Sequence, residues 1–284
     1  AKGYKRWTHL VDLNLRQNTR NNYQYLYREN PSPFGFSQIA QTTDEINRDY
    51  NQSIRLNSIY TFSKDRTFGI SFIGRLSSDH NSEVRSNKSE FSYAADRFYA
   101  RDADKKGSDS GFDLNLSYSP SANGKIDFLW IQNQGSDANQ FYQHYFYGDF
   151  DTPNPNIPVR NERSSASSTN STLLFQGDWT KSFSKKLSLD YGFKLNSRFF
   201  ENSFLYEKQK EGIYVKDGVR SNGFTYEEHI QAAYLSFSEK ARHLQLDGGL
   251  RVEATEIAGD VQQNYVNLFP SLSILHPISA SQSI

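Results

Sequence analysis

Hydrophobic and polar residues alternate with a period of two along several stretches of the chain. The clearest stretch is residues 185–202, where Leu187, Leu189, Tyr191 and Phe193 are each separated by one polar residue or glycine. Because successive side chains of a strand point to opposite faces, this pattern predicts a β-strand with one apolar and one polar face. Nine further stretches bring the total to about ten predicted strands: residues 7–16, 54–62, 67–77, 110–119, 125–133, 171–180, 230–238, 243–255 and 266–275.

The connections between these strands alternate between short and long. Short polar turns are predicted at residues 63–66, 120–124, 183–186, 239–242 and 277–281, and long polar loops at residues 17–49, 80–108, 135–167, 202–226 and 258–266. Antiparallel hairpins with all short turns at one end of the sheet and all long loops at the other are typical of outer-membrane barrels. The pattern therefore predicts an all-β fold, an antiparallel transmembrane β-barrel, with residues 1–284 as a single segment of it.

Composition agrees with a membrane barrel better than with a soluble domain. Hydrophobic residues make up only 36% of the 284 residues, where a soluble domain carries about half. A polar interior with a thin apolar band outside would explain this deficit, and an aromatic content of 15% argues against disorder. Aromatic residues recur beside the predicted short turns and are expected to form an interfacial girdle: Tyr60, Phe68, Tyr118, Trp179 and Phe237.

The sequence contains no recognisable catalytic or metal-binding motif. The absence of cysteine excludes disulfides and thiol chemistry, and the six histidines are scattered without the spacing of a zinc site. No grouping of serine, histidine and acid is apparent, and the balanced charge gives no reason to expect nucleic-acid binding. We therefore expect a protein that is not an enzyme, without metal or cofactor.

Three segments near the C-terminus resemble a known family in sequence, order and spacing. Residues 227–237, 249–255 and 267–273 are similar to the barrel of TonB-dependent outer-membrane receptors, in the version common in Bacteroidetes. This resemblance implies a barrel of 22 strands, of which the ten predicted strands would be a part. It also implies a plug domain, through which such receptors bind the TonB complex. No plug is recognisable here, because strand patterning begins within the first ten residues, so we expect an internal barrel fragment.

The resemblance implies a transport function. The chain would be the barrel wall of an importer of a scarce nutrient, such as a siderophore, glycan or peptide. Its partners would be outer-membrane lipid, the TonB complex acting through a plug, and a surface lipoprotein in the case of glycan import. Two alternatives remain open from the residues: a complete small barrel acting as a passive pore or adhesin, and a soluble all-β binding protein with its apolar face packed inside.

Two aromatic clusters in the predicted loops are candidates for ligand binding, because loops at the outer mouth of such receptors capture the ligand. Aromatic side chains suit sugars, peptides and siderophore rings. Spacing by two in the first cluster equally favours a strand that continues above the membrane. The candidates are Tyr25 and Tyr27 in the first cluster and Tyr142, His144, Tyr145 and Tyr147 in the second.

Charged residues on the polar faces of the predicted strands are candidates for the barrel lumen. The alternation of residues 185–202 and 243–255 predicts that Lys194, Arg198, Arg251 and Glu253 face the interior. Such side chains would set the electric field inside a channel or contact a plug.

Overall fold

The computed structural model describes residues 6–32, 35–91, 97–146, 159–241, 244–275, 277–279 and 282–283. These residues form strands and turns and contain no α-helix. Among them there is accordingly no helix with the length and apolarity to cross a membrane. Ten long strands account for most of the chain: β1 (Arg6–Ser32), β2 (Gly35–Ser63), β3 (Arg66–Phe91), β4 (Arg97–Ser121), β5 (Gly124–Phe146), β6 (Arg160–Ser182), β7 (Leu187–Lys210), β9 (Asn222–Ala241), β10 (Leu244–Gly259) and β11 (Gln263–Leu275).

The long strands pair in chain order, each antiparallel to the next, in one sheet. A short strand, β8 (Ile213–Lys216), pairs only with β7 and completes eleven strands. Two further short strands, β12 (Pro277–Ser279) and β13 (Gln282–Ser283), pair with each other in a separate sheet. The predicted all-β antiparallel fold is confirmed. The expected 22-stranded size is not supported, and β1 and β11 do not pair, so the sheet is open.

The long strands meet at short turns at one end of the sheet, which we call the proximal end. Turns at residues 64–65 and 122–123 and bends at residues 183–186 match three of the predicted short turns. The predicted turns at residues 239–242 and 277–281 lie partly outside the described residues. The opposite end is called the distal end, and in membrane barrels it is the extracellular one.

The prediction of long loops is wrong over most of their length. Residues 17–32 continue β1 and residues 35–49 belong to β2, and the two segments pair residue by residue. The same holds for β3 with β4 and for β5 with β6, where residues 147–158 of the predicted loop 135–167 lie outside the described residues. In these segments polar side chains occupy both faces, so the period-two hydrophobic pattern disappears. The backbone ladder does not depend on that pattern, because its hydrogen bonds join main-chain groups.

One face of the sheet, called the outer face, carries an apolar band near the proximal end. Directly paired residues share a face, so the register can be followed from strand to strand. On β3 the band runs from Phe68 to Leu76, nine residues or about 30 Å, as a membrane-crossing strand requires. One row crosses all ten long strands: Trp7, Tyr60, Phe68, Tyr118, Ile126, Gly177, Phe193, Ala233, Val252 and Leu268.

The apolar band runs obliquely to the ladder. On β1 the apolar outer-face residues extend from this row toward the distal end, as far as Leu15. On β11 they extend from the same row toward the proximal end, as far as Ile274. If the band follows the plane of a membrane, the strands are tilted within it. Tilt of this kind is required to close a sheet into a barrel.

The opposite face, called the inner face, holds most of the buried side chains, and nearly all of these are polar, whereas Phe98 and Asn161 are buried on the outer face. Only Phe98 and Ala232 are buried hydrophobic residues in the described part of the chain, while Leu250 on the outer face is 47% exposed. Burial on one face without a covering layer indicates that the sheet curves toward that face. Among the buried polar residues, all except Asn161 lie on the inner face: Ser37, Thr43, Asn87, Ser89, Asp127, Gln143, Glu162, Asn196 and Thr255.

Candidate functional site

The four charged residues predicted to face the lumen all lie on the inner face. Lys194 on β7 pairs with Ala232 on β9, which pairs with Glu253 on β10. Arg251 donates hydrogen bonds to Glu253, with Nη2 to Oε2 at 2.7 Å. Arg198 Nη1 lies 3.4 Å from Glu228 Oε2. Arg198 and Arg251 therefore take part in ion pairs at and just above the level of the apolar band, with Glu228 and Glu253 as their partners.

The first aromatic cluster lies on an exposed strand rather than in a loop. Tyr25 and Tyr27 are part of β1, on the outer face, and are 62% and 50% exposed. The hydroxyl of Tyr27 donates a hydrogen bond to Glu29 Oε1 at 2.5 Å, which raises the Tyr27 pKa. The two-residue spacing between Tyr25 and Tyr27 therefore reflects the geometry of a strand. Both rings face away from the lumen.

The second aromatic cluster is divided between the two faces of β5. Tyr142 and His144 lie on the outer face and are exposed, whereas Tyr145 lies on the inner face. Tyr147 lies outside the described residues. Because β1 and β5 are four strands apart, about 19 Å, the two predicted clusters do not form one site.

The described residues of the inner face gather a different set of side chains near the distal end. Arg85 on β3 pairs with Arg101 on β4, Arg101 pairs with Gln143 on β5, and Gln143 pairs with Arg160 on β6. These four residues, here called the arginine row, follow one line across four neighbouring strands. Sequence reasoning missed this set because its members are far apart in the chain and only the register aligns them.

A second line of side chains lies one row closer to the membrane. It runs from Glu45 on β2 through Glu83, Ala103 and Phe141 to Glu162 on β6. Its carboxylates have partners. Glu45 accepts hydrogen bonds from Asn47 and Asn81 at 3.0 and 2.6 Å, and these bonds lower the Glu45 pKa.

Glu162 is the centre of a buried polar network at the end of β6. It is 3% exposed and accepts hydrogen bonds from Arg160 Nη2 at 2.8 Å and from the hydroxyl of Tyr206. Arg220 Nη1 lies 4.0 Å from the same carboxylate. The bond to Glu162 raises the Arg160 pKa, so this guanidinium is charged at all physiological pH values. The network joins β6 and β7 to the segment that carries Arg220.

The distal part of the outer face carries exposed ion pairs. Asp104 on β4 contacts His80 on β3 and lies 3.1 Å from Lys106 Nζ. Arg163 on β6 donates to Glu207 on β7, with Nε to Oε2 at 2.6 Å. Hydrogen bonds from these partners lower the pKa values of the Asp104 and Glu207 carboxyl groups. Among the described residues no group of three or more His, Asp or Glu side chains could hold a metal ion.

Comparison with known proteins identifies a family for the C-terminal part of the sheet. The model of the Outer membrane protein beta-barrel family matches residues 121–284, which contain β5 to β13. None of the curated proteins matches the chain in sequence.

Two solved structures are similar to the chain at low sequence identity. The outer membrane protease OmpT from Escherichia coli is 11% identical, with a TM-score of 0.27 and 96% of each chain covered. The ferric yersiniabactin uptake receptor FyuA from Yersinia pestis is 9% identical, with a TM-score of 0.29. That comparison covers 99% of this chain and 59% of the receptor.

The expectation that the chain is not an enzyme is corrected by the first of these structures. Because that structure is a protease, the lack of a recognisable catalytic motif in the sequence was not a sufficient reason to exclude an enzyme. A likeness at this TM-score assigns no activity to this chain.

Proposed function

The chain belongs to the outer membrane protein beta-barrel family, and on this premise we propose that it forms the wall of a transport receptor for a scarce solute. The family places the protein in the outer membrane of a Gram-negative bacterium. That location contradicts the alternative of a soluble all-β binding protein.

The observation that carries the proposal is the inner face, which is mainly polar although Leu129 and Leu174 pair on it. At the level of the apolar band it presents Asp190, Lys194 and Asn196 on β7, and further out it presents the arginine row. Charged groups behind an apolar outer band are stable only where water or a polar ligand solvates them. A solute path along this face would meet charged side chains from the extracellular end to the membrane.

The energy source and partners belong to the same proposal. We propose import driven by the TonB complex through a plug domain, because residues 227–237, 249–255 and 267–273 resemble receptors of that type. A siderophore, a glycan or a peptide is the expected kind of solute, with a surface lipoprotein as partner for a glycan.

The open edges of the sheet favour a larger barrel. Leu13 and Leu15 on β1 and Leu272 on β11 are 67%, 77% and 72% exposed, and the outer backbone groups of both strands have no neighbour in the described sheet. Each unpaired backbone group in hydrocarbon costs several kcal/mol. In the membrane both edges must be paired, and we propose that further strands, rather than direct contact of β1 with β11, provide the pairing.

Deletion of the gene, followed by uptake measurements, tests the proposal. The probes are radioactive iron bound to siderophores, labelled oligosaccharides and labelled oligopeptides. We expect the deletion to abolish uptake of one class, the wild-type gene to restore it, and a protonophore to stop it. If the purified protein in liposomes instead passes small sugars freely without an energy source, the chain is a passive pore and the proposal is wrong.

A further inference from the structure

The arginine row brings like charges into direct opposition. Arg85 and Arg101 are paired across β3 and β4, an arrangement that destabilises a sheet unless a negative charge compensates it. Arg160 follows two strands further along the same line, with Gln143 between. Three guanidinium groups thus occupy a span of about 15 Å on the inner face.

The compensation within the described residues is incomplete. Arg85 Nη2 lies 3.0 Å from Glu83, and Arg160 Nη2 lies 2.8 Å from Glu162. Arg101 has no ion pair with any described carboxylate. The Nε atoms of Arg85 and Arg101 are buried and have no hydrogen-bond acceptor. An unsatisfied buried donor costs about 1–3 kcal/mol, so these atoms favour an acceptor that the described chain does not supply.

An aromatic ring orients the uncompensated guanidinium. Arg101 Cζ lies 4.4 Å from the centroid of Phe141, and Arg160 Cζ lies 5.9 Å from the same centroid. Stacking on an aromatic face leaves the edge of a guanidinium free to donate paired hydrogen bonds. That planar fork matches the oxygens of a carboxylate or phosphate group.

The acidic line beneath the arginine row does not provide the missing acceptor. Glu45 accepts from asparagine side chains, and Glu162 is occupied by Arg160 and Tyr206. Glu83 accepts a hydrogen bond from Arg85 through Oε2, and only its Oε1 atom has no hydrogen-bond partner. A cation would therefore compete with the existing partners of all three carboxylates, whereas an anion would meet the free Nε donors of Arg85 and Arg101.

We infer that the arginine row is a binding subsite for an anionic group, a carboxylate or a phosphate, of the solute that enters the barrel. Arg101 supplies the principal contact, Arg85 and Arg160 add charge, and Phe141 provides an apolar face for a ring next to the anionic group. This inference rests on the proposed function, since it names the class of solute for the same path.

Isothermal titration of the full chain in a neutral detergent at low salt tests the subsite. The probes are phthalate, a planar aromatic dianion, and phthalamide, its uncharged analogue. We expect phthalate to bind and phthalamide to bind at least about tenfold more weakly. Arg101→Gln should weaken phthalate binding by about tenfold or more, because a hydrogen bond to a charged group is lost. Arg101→Lys, which keeps the charge but not the fork, should give an intermediate affinity.

Arg163→Gln is the matched control, since it removes the same charge from the outer face, where Arg163 is paired with Glu207. Its phthalate affinity should equal that of the wild type. Circular dichroism and the shift in gel mobility on heating establish that each variant is folded. Equal phthalate affinity in Arg101→Gln and wild type, equal binding of the two probes, or no phthalate binding to the wild type overturns the inference.

The two proposals fail separately, because titration in detergent requires neither TonB nor transport. If phthalate binds through Arg101 but uptake is independent of energy, the subsite stands and TonB-driven import is wrong. If uptake requires energy but phthalate does not bind, the assignment of the subsite is wrong and the proposed function stands.

Discussion

Tyr234 on β9 donates a hydrogen bond from its hydroxyl group to the carboxylate of Asp178 on β6. The strand between them, β7, contributes Gly192 to this row, paired with Asp178 on one side and with Tyr234 on the other. The missing side chain of Gly192 leaves the space through which the tyrosine crosses. The contact therefore joins three strands on the inner face at the level of the membrane.

Gly192→Ala should destabilise the barrel. A Cβ atom at this position would collide with the Tyr234 hydroxyl and with the carbonyl oxygen of Gly177. Overpacking of this kind costs about 1–3 kcal/mol. Urea titration in lipid vesicles, followed by tryptophan fluorescence, measures the loss. Gly223→Ala is the control, since its nearest neighbour would be Asn202 O at 3.5 Å, an ordinary contact. Equal loss in both variants would show that space at Gly192 has no special role.

Tyr234→Phe should also lower the free energy of unfolding. The substitution removes the only hydroxyl that reaches the Asp178 carboxylate among the described contacts, at an expected cost of about 1–3 kcal/mol. A double-mutant cycle with Asp178→Asn isolates the interaction, and a coupling energy near zero would contradict it. Tyr265→Phe on the inner face serves as control, because its hydroxyl has no hydrogen bond to a described residue and its loss should change little.

Leu235→Arg should destabilise the membrane-inserted protein by about 2–4 kcal/mol. Leu235 lies on the outer face within the apolar band, paired with Tyr191 and Leu250, so an arginine there would enter hydrocarbon. Ser236→Arg is the matched control, since the next residue faces inward and lies beside Asp190. Urea titration in vesicles compares the two. A smaller loss for Leu235→Arg than for Ser236→Arg would mean that the faces are assigned in reverse.

The strands of the membrane region were predictable from the sequence, whereas their length was not. Leu187, Leu189 and Tyr191 reveal their strand because lipid selects apolar residues on one face only. Beyond the band water contacts both faces, so residues 80–89 of β3 were predicted as part of a polar loop, although each of them pairs with a residue of β4. Backbone hydrogen bonds stabilise the strands there, and the hydropathy pattern of the side chains does not predict those bonds.

The candidate site was likewise only partly predictable from the alternation of polar and apolar residues. Lys194 and Glu253 were placed on the inner face by alternation alone, and the register agrees with that placement. The arginine row could not be found in this way, because residues 85, 101 and 160 become neighbours only once the register of four strands is known. Tyr142 and Tyr145 appeared to form one cluster in the sequence, but an odd separation puts them on opposite faces.

Cysteine labelling should distinguish the two faces directly, since the natural chain contains no cysteine. Lys194→Cys introduces a thiol on the inner face, and Leu195→Cys introduces one on the outer face of the same strand. A hydrophilic maleimide should modify position 194 in vesicles and leave position 195 unmodified, because the thiolate does not form in hydrocarbon. Labelling after the vesicles are dissolved in denaturant controls for intrinsic reactivity. Preferential modification of position 195 would contradict a polar lumen.

Acid should weaken the distal contact between β3 and β4 through Asp104. Hydrogen bonds from His80 and Lys106 lower the Asp104 pKa in the folded protein below its value in the unfolded chain, which is about 3.9. A depressed carboxyl pKa contributes stability that is present above the unfolded value and is lost as the pH falls through the folded value. Hydrogen exchange of the amides around residues 80 and 104, corrected for intrinsic rates, should therefore show protection that decreases below pH 4, by about two- to fivefold for an exposed ion pair.

Asp104→Asn should remove this acid dependence and lower protection at pH 6 toward the acid value of the wild type. Glu207→Gln is the control, because its partner Arg163 joins β6 to β7 and should leave the amides of β3 and β4 unchanged. Asp102 and Lys88 face the same outer side of these strands and are unchanged in both variants, so a difference confined to Asp104→Asn reports the contact of Asp104 with His80 and Lys106. If protection falls below pH 4 to the same extent in the variant and the wild type, another carboxylate is responsible for the acid sensitivity.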